Sequence, residues 1–194
     1  PGTGLKHSWK VVVGGQSSTA RTTSYSPPEV TRVSGEGAHN ATTLGRQVVT
    51  LTGRNFGLPS ATGEDTLESV TYGPGGLGYT ATGCAVLAHT SIECYTVPGI
   101  GDSLQWTVTV DKQLSTSSRS SLPATMSSYA RPMFRSRSLT LGTEGGYVVL
   151  NGTNLGVGVD GASLELFLHE DSDGVTSMHH IATFEGQNSY EPIM

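Results

Sequence analysis

The strongest indication of the fold is PGIGDSLQWTVTV at residues 98–110, which PGTGLKHSWKVVV at residues 1–13 repeats. Polar and apolar side chains alternate from residue 105 to residue 110, as in a β-strand with one buried face. The two stretches lie 97 positions apart and share a Pro-Gly-x-Gly start, a tryptophan and two valines. The chain therefore contains two copies of one strand and of the turn before it.

Further matches extend this repeat over most of the chain. TGRNFG at residues 52–57 resembles NGTNLG at residues 151–156, and SYSPPEV from Ser24 resembles SYARPMF from Ser128. The unit is about 97 residues long, so that the 194 residues equal two units. We predict that residues 1–23 hold the last strand of one domain plus a linker. Residues 24–128 form a complete domain, and residues 129–194 form a domain without its last strand.

The two ends of the sequence match one unbroken stretch of the repeat. Joined end to head, SYEPIM and PGTG align with ECYTVPGIG without a gap. Residues 1–13 of the next repeat or subunit would then complete the second domain, either in one longer chain or by strand donation between chains. An arbitrary boundary is the third possibility. The predicted residues of this head-to-tail junction are Pro1, Trp9, Val11, Val13 and Met194.

Composition narrows the fold class and the function. Charged residues are 14% of the chain, against a usual value of about 25%, whereas 23 serines and 25 threonines make it rich in hydroxyl groups. The net charge of −5 and the lack of a basic run argue against nucleic-acid binding. No apolar run reaches 18 residues, so the sequence predicts no membrane-spanning helix.

Short strand-like runs without helical periodicity predict an all-β sandwich or barrel. Two segments rich in serine and threonine, Gln16–Ser24 and Ser115–Ser128, are predicted to be loops or linkers. The predicted strands are Trp9–Val13, Val48–Thr52, Ser69–Tyr72, Trp106–Val110, Tyr147–Leu150 and Ser163–His169.

The order of these motifs resembles the IPT/TIG family, the immunoglobulin-like domains of plexins and some transcription factors. The resemblance rests on prolines before the first strand, a Gly-x-Asn-Phe-Gly turn, a cysteine pair and the Pro-Gly-x-Gly motif. The second copy departs from it with Ile181 and Glu191 where the cysteines would fall. The resemblance implies tandem immunoglobulin-like β-sandwiches. The residues that carry it are Pro27, Pro28, Gly53, Asn55, Phe56, Gly57, Cys84, Cys94, Pro98, Gly99 and Gly101, with Pro132, Gly152, Asn154 and Gly156 in the second copy.

Cysteines and sequons are the candidate modification sites. Cys84 and Cys94 flank a hairpin-like stretch, and neighbouring antiparallel strands can bring such a pair to bridging distance. We predict a disulfide there, with two free thiols as the alternative. Asn40 and Asn151 begin Asn-x-Thr sequons and are predicted to carry N-linked glycans, and the hydroxyl-rich loops could carry O-linked ones.

Other motifs have structural explanations. The acidic run His169–Gly174 has part of a calcium loop but lacks its final glutamate, so a solvated hairpin turn is the preferred interpretation. GVGVDG at residues 156–161 matches a dinucleotide-binding pattern, but no helix is predicted after it. We therefore predict no cofactor, no metal site and no catalytic residue. Trp9 and Trp106 are predicted core residues, with sugar stacking as the alternative for an exposed ring.

These observations predict a structural rather than an enzymatic role. We expect a repeating module of an extracellular, glycosylated filament or adhesive stalk, whose partners are further copies of itself. Linkers around Pro27–Pro28 and Arg131–Pro132 would stiffen the joints between domains. The main alternative is a ligand-binding or spacer region in the ectodomain of a cell-surface receptor or adhesin. A transcription-factor module and an accessory domain of a carbohydrate-active enzyme fit the composition less well.

Overall fold

Short antiparallel strands make up nearly all regular structure in this computed structural model. It describes residues 2–62, 65–116, 123–134, 152–156, 163–172 and 175–185. The protein is all-β, and the described residues include no helix of seven residues or more. Three 3-10 turns lie at Ser60–Thr62, Pro74–Gly76 and Pro123–Thr125.

Residues 2–25 form a long hairpin that we call the N-terminal hairpin. Its strands are β1 (His7–Trp9), β2 (Val12–Val13), β3 (Gln16–Ser17) and β4 (Arg21–Thr23). β2 pairs with β3 across a tight turn, and β1 pairs with β4 further out. All residues of these four strands are exposed. The prediction of a loop over Gln16–Ser24 is therefore wrong, because β3 and β4 gain ladder partners in β2 and β1.

The next nine strands form what we call the central unit. They are β5 (Glu29–Ser34), β6 (Val48–Arg54), β7 (Leu67–Gly73), β8 (Tyr79–Thr80), β9 (Thr82–Ala88), β10 (Ser91–Tyr95), β11 (Leu104–Val110), β12 (Gln113–Leu114) and β13 (Met126–Ser127). One sheet has the order β5-β6-β10-β9, and the other has the order β12-β11-β7-β8. β13 pairs with the start of β11, and every pairing is antiparallel.

Both sheets contribute to a single apolar core. Alternation along β11 buries Leu104, Trp106, Val108 and Val110 and leaves the residues between them half exposed. This is the period of two that the sequence predicts. The fully buried side chains of the core include Val49, Leu51 and Ile92 from the first sheet and Val70, Tyr72 and Val108 from the second.

Four further strands follow the central unit. They are β14 (Met133–Phe134), β15 (Gly152–Thr153), β16 (Ser163–Ser172) and β17 (Val175–Glu185). β14 pairs with β15, and β16 pairs with β17 over ten residue pairs. Strands occupy five of the six predicted positions, although β1 ends at Trp9 and β2 begins only at Val12. The sixth predicted strand, residues 147–150, lies outside the described residues.

The contribution of the core can be tested at Leu51. We expect Leu51→Ala to lower the free energy of unfolding by about 2–5 kcal/mol, because the side chain is fully buried and its loss leaves a cavity. The exposed Leu77 provides the control, and Leu77→Ala should change stability by less than about 0.5 kcal/mol. Urea denaturation of both variants measures the difference. Equal midpoints for the two variants would contradict the described core.

Candidate functional site

The N-terminal hairpin repeats the structure of a segment of the central unit, residues 99–116 and 123–129, which we call the central hairpin. Shifted by 97 positions, the β2–β3 pairing becomes the pairing of β11 with β12. The β1–β4 pairing becomes the pairing of β11 with β13 when β1 is shifted by 97 positions and β4 by 104, the same offset as between Ser24 and Ser128. The matching pairs are Val12–Ser17 with Thr109–Leu114, Val13–Gln16 with Val110–Gln113, His7–Thr23 with Leu104–Ser127, and Ser8–Thr22 with Gln105–Met126.

Side-chain hydrogen bonds repeat as well. Trp9 Nε1 donates to Thr23 Oγ1 at 2.7 Å, and Trp106 Nε1 donates to Ser127 Oγ at 2.8 Å. The two indoles are therefore held by the same kind of bond from the same position on their strands.

Main-chain bonds around the two turns also coincide. The amide of Tyr25 donates to Gly4 O at 3.0 Å, and the amide of Tyr129 donates to Gly101 O at 2.9 Å. A serine that follows the hairpin turn exchanges bonds with the strand in both copies. The bonds are Val11 N to Ser18 Oγ and Ser18 N to Val11 O, against Val108 N to Ser115 Oγ and Ser115 N to Val108 O.

The two hairpins differ in what covers them. Trp106 is 4% exposed, because Tyr72 of β7 stacks on it with ring centroids 4.3 Å apart and an interplanar angle of 9°. Trp9 is 63% exposed, and Val11 and Val13 are exposed beside it. The prediction of a core tryptophan is thus confirmed for Trp106. It is wrong for Trp9 in this chain, because no described strand lies beside β1 and β2 as β7 lies beside β11.

An open cavity of about 360 Å³ lies on the uncovered face of the N-terminal hairpin. Trp9 and Tyr25 line it, and they correspond to Trp106 and Tyr129, two of the aromatic rings that contact Tyr72 in the central unit. His7 also lines the cavity and meets Tyr25 edge to face at 5.3 Å. The cavity therefore has an aromatic lining where the central unit has a buried tyrosine.

Tyr72 also belongs to a buried hydroxyl network. Its hydroxyl lies 2.6 Å from that of Tyr129 and accepts from Val97 N at 2.9 Å, while the Tyr129 hydroxyl donates to Val97 O at 2.5 Å. Burial raises the pKa of Tyr72, and burial together with its bond to Tyr72 raises the pKa of Tyr129 well above 10. The network holds the segment before β11 against β7.

These pKa shifts predict loss of stability at high pH. Above about pH 10 the unfolded chain releases the tyrosine protons that the folded protein keeps, so the free energy of unfolding falls as pH rises. The expected slope is up to about 1.4 kcal/mol per pH unit for each tyrosine. Tyr129→Phe should reduce this slope between pH 10 and pH 11.5, measured by urea denaturation at each pH.

Tyr95→Phe is the matched control, because Tyr95 is exposed on β10. If Tyr129→Phe and Tyr95→Phe show the same slope, the hydroxyl network does not set the alkaline stability.

A single glutamine joins the N-terminal hairpin to the central unit. Gln113 is buried, and its Oε1 accepts from Gly4 N at 3.1 Å while its Nε2 donates to Tyr25 O at 2.9 Å. Beside it, Thr3 Oγ1 donates to Asp111 Oδ2 at 3.2 Å. Because one amide side chain bridges both ends of the hairpin, it fixes the hairpin on the end of the central unit. Sequence analysis missed Gln113, although Gln16 stands 97 positions earlier in the repeat and could have drawn attention to it.

The glutamine bridge predicts a local effect on the hairpin. Gln113→Ala should speed hydrogen exchange at the Gly4 and Tyr25 segments at least about tenfold, since losing two hydrogen bonds of about 1 kcal/mol each favours opening. Gln105→Ala is the control, because Gln105 lies half-buried on the neighbouring β11. Mass spectrometry measures the hydrogen-exchange rates in both variants. Equal rates in the two variants would show that the bridge does not hold the hairpin.

The Gly-x-Asn turn holds the chain where each copy begins. Asn55 and Asn154 both have left-handed backbone, with φ of 64° and 59°. Asn55 Nδ2 donates to Pro27 O at 2.9 Å, and Asn154 Nδ2 donates to Arg131 O at 3.3 Å. The incoming linker is therefore bound by the same side chain in both copies.

Two glycines allow this linker to approach closely. A Cβ on Gly53 would collide with Glu29 O, and a Cβ on Gly152 would collide with Met133 O. Glycine is therefore required at both positions, so these two turn residues have a structural role.

The cysteines and the first sequon lie on the central unit. A disulfide joins Cys84 of β9 to Cys94 of β10, with Cα atoms 4.1 Å apart. Asn40 is exposed, and its main-chain N–H donates to Ser128 Oγ at 3.2 Å near the end of the unit. Asn151, Pro1 and Met194 lie outside the described residues.

The acidic run begins on a strand. His169–Ser172 end β16, and Asp173 and Gly174 lie outside the described residues. The described residues contain no group of side chains that could hold a metal ion. Within the same ranges, every helix falls short of the length and apolar character needed to cross a membrane.

Comparison of the chain with protein-family models, curated proteins and solved structures finds no match. The internal repeat is therefore the basis on which the function can be argued.

Proposed function

We propose that this protein is a structural repeat module of an extracellular filament or adhesive stalk, built from immunoglobulin-like sandwiches of the IPT/TIG type joined head to tail. The observation that carries the proposal is the N-terminal hairpin. It has the strand pairing and the indole bond of the central hairpin, but its apolar face is exposed. Exposed apolar surface of this kind favours association.

The two sheets of the central unit support the sandwich assignment. They share one core, and their orders β5-β6-β10-β9 and β12-β11-β7-β8 leave consecutive strands in different sheets at several points. Such crossovers between two antiparallel sheets are typical of immunoglobulin-like domains. β11 is the last long strand of the central unit, and β1 and β2 of the N-terminal hairpin correspond to it. The N-terminal hairpin would therefore be the end of a further domain, whose other strands lie outside residues 2–25.

The glutamine bridge supports the serial arrangement. Gln113 attaches the end of one domain to the turn of the next through main-chain atoms, and Asn55 holds the linker between them. Successive domains are thereby joined by hydrogen bonds as well as by the peptide chain. A short joint that is bonded at both ends suits a mechanical role.

The surface chemistry supports an extracellular location. Disulfides persist in oxidising compartments, and Cys84–Cys94 is one. The exposed sequon at Asn40, together with that at Asn151, would add N-linked glycans, and the many hydroxyl groups offer sites for O-linked ones. The alternative role is a spacer in a receptor or adhesin ectodomain. A spacer would use the same joints between domains, but separate chains would not associate with each other.

Mass spectrometry of native material and light scattering of the purified chain test the proposal together. In a covalent filament, Met194 of one repeat is bonded to Pro1 of the next. A Glu-specific protease that cleaves after Glu185, together with trypsin that cleaves after Lys6, then yields a junction peptide from Gly186 to Met194 continued by Pro1 to Lys6. In a filament assembled by strand donation that peptide is absent, and the purified chain forms particles whose mass increases with concentration. Absence of the peptide together with a concentration-independent monomer would contradict the filament.

A further inference from the structure

We propose that the N-terminal hairpin pairs with strand β16 of a second copy of the sequence, in the register that β11 and β7 adopt in the central unit. This inference rests on the proposed head-to-tail function and names the surfaces that meet. The central unit provides the template, because β7 covers the central hairpin and supplies the ring that stacks on Trp106.

β16 is the counterpart of β7 in the second copy. Leu67-Glu68 near the start of β7 matches Leu164-Glu165 near the start of β16, again 97 positions apart. In each copy this strand follows the Gly-x-Asn turn and runs antiparallel to the next strand along the chain. β7 has β8 on one side and β11 on the other, whereas among the described strands β16 has a partner only in β17.

The template register brings apolar residues together. In the central unit Trp106 lies opposite Tyr72, Val108 opposite Val70, and Val110 opposite Leu67. Moving each residue by 97 positions places the two valines of the exposed face of the N-terminal hairpin opposite apolar residues of β16, and Trp9 opposite a histidine. The resulting pairs are Trp9 with His169, Val11 with Phe167, and Val13 with Leu164.

The register also assigns an occupant to the cavity. Tyr72 contacts Trp106 and Tyr129, and the counterparts of those two rings, Trp9 and Tyr25, line the cavity. The counterpart of Tyr72 is His169. An imidazole is flat, so it can stack on an indole as the phenol ring does, and its nitrogens can bond to a tyrosine hydroxyl.

Charge favours a second copy over an unrelated apolar partner. The N-terminal hairpin has Lys6, Lys10 and Arg21 and no acidic residue, whereas β16 has Glu165, Glu170 and Asp171 and neither lysine nor arginine. In the template register Lys10 and Glu170 lie on the same face, one diagonal step apart, which is within reach of long side chains. Opposite charges would therefore flank the apolar contact.

Two adjacent valines provide a matched test in the full chain. Val11 and Val12 are 62% and 59% exposed, but only Val11 has a counterpart, Val108, that is buried in the central unit. We expect Val11→Asp to raise the dissociation constant for self-association at least about tenfold, because it places a charge in the apolar contact. Val12→Asp should raise it less than Val11→Asp does, because Val12 lies opposite Leu166 on the other face of the register, where the counterpart residues Thr109 and Ser69 are only half-buried. Sedimentation equilibrium measures both constants.

Substitutions at His169 test the partner strand. His169→Tyr restores the residue that the central unit uses, so we expect association as tight as in the parent or tighter. His169→Asp should weaken association at least about tenfold, since a carboxylate would be buried against two aromatic rings. Circular dichroism of both variants establishes that each is folded.

The outcomes separate this inference from the proposed function. Association that responds to Val11→Asp and to neither His169 variant would overturn the β16 pairing and leave the filament standing. The chain could instead be a monomer in which the fluorescence of Trp9 shows that its indole is buried and in which substitution of His169 changes that fluorescence. This result would show that the hairpin binds β16 of its own chain, and it would overturn the second copy as partner. Absence of both association and the junction peptide would overturn both proposals.

Discussion

The stacking of Tyr72 on Trp106 is the contact around which the central unit is organised. It joins β7 to β11 across the middle of one sheet, and the Tyr72 hydroxyl reaches Val97 and Tyr129 at the start and end of the central hairpin. Indole and phenol rings bury a large apolar area, and their polar atoms need partners inside the protein. The network supplies those partners, so that one aromatic pair fixes both the packing of a sheet and the course of the chain around it.

The same contact explains why the N-terminal hairpin differs from its counterpart. Both hairpins have the local bonds that shape them, and these bonds are satisfied without the rest of a domain. Burial of the tryptophan requires a second neighbouring strand beyond the hairpin partner, and among the described residues β11 has one in β7 whereas β1 has only its hairpin partner β4. Hydrogen bonds within the hairpin determine its shape, whereas a neighbouring strand determines whether its tryptophan is buried.

The sequence predicts the periodic features of this protein well. Alternation in Trp106–Val110 and the Gly-x-Asn turns are local patterns with direct geometric causes, and the repeat itself is visible as matching letters. Residues whose role depends on distant partners were not predictable. Gln113 acts through the main chain of residues 4 and 25, and Tyr72 and Tyr129 meet although they are 57 positions apart in the sequence. The strands β3 and β4, which pair with β2 and β1, were also missed. Their residues are polar and exposed, so they have no buried face that would produce a period of two.

The bridge from Gln113 has a consequence for how such a chain can change over time. Its two bonds reach an amide hydrogen and a carbonyl oxygen, groups that nearly every amino acid presents alike. The joint therefore recognises the path of the neighbouring backbone, and the residue identity it requires is the glycine at position 4, where φ is 93° and a Cβ would collide with Asp111. Copies of the unit can diverge in sequence, exchange places or multiply within a gene while the coupling between neighbours is preserved.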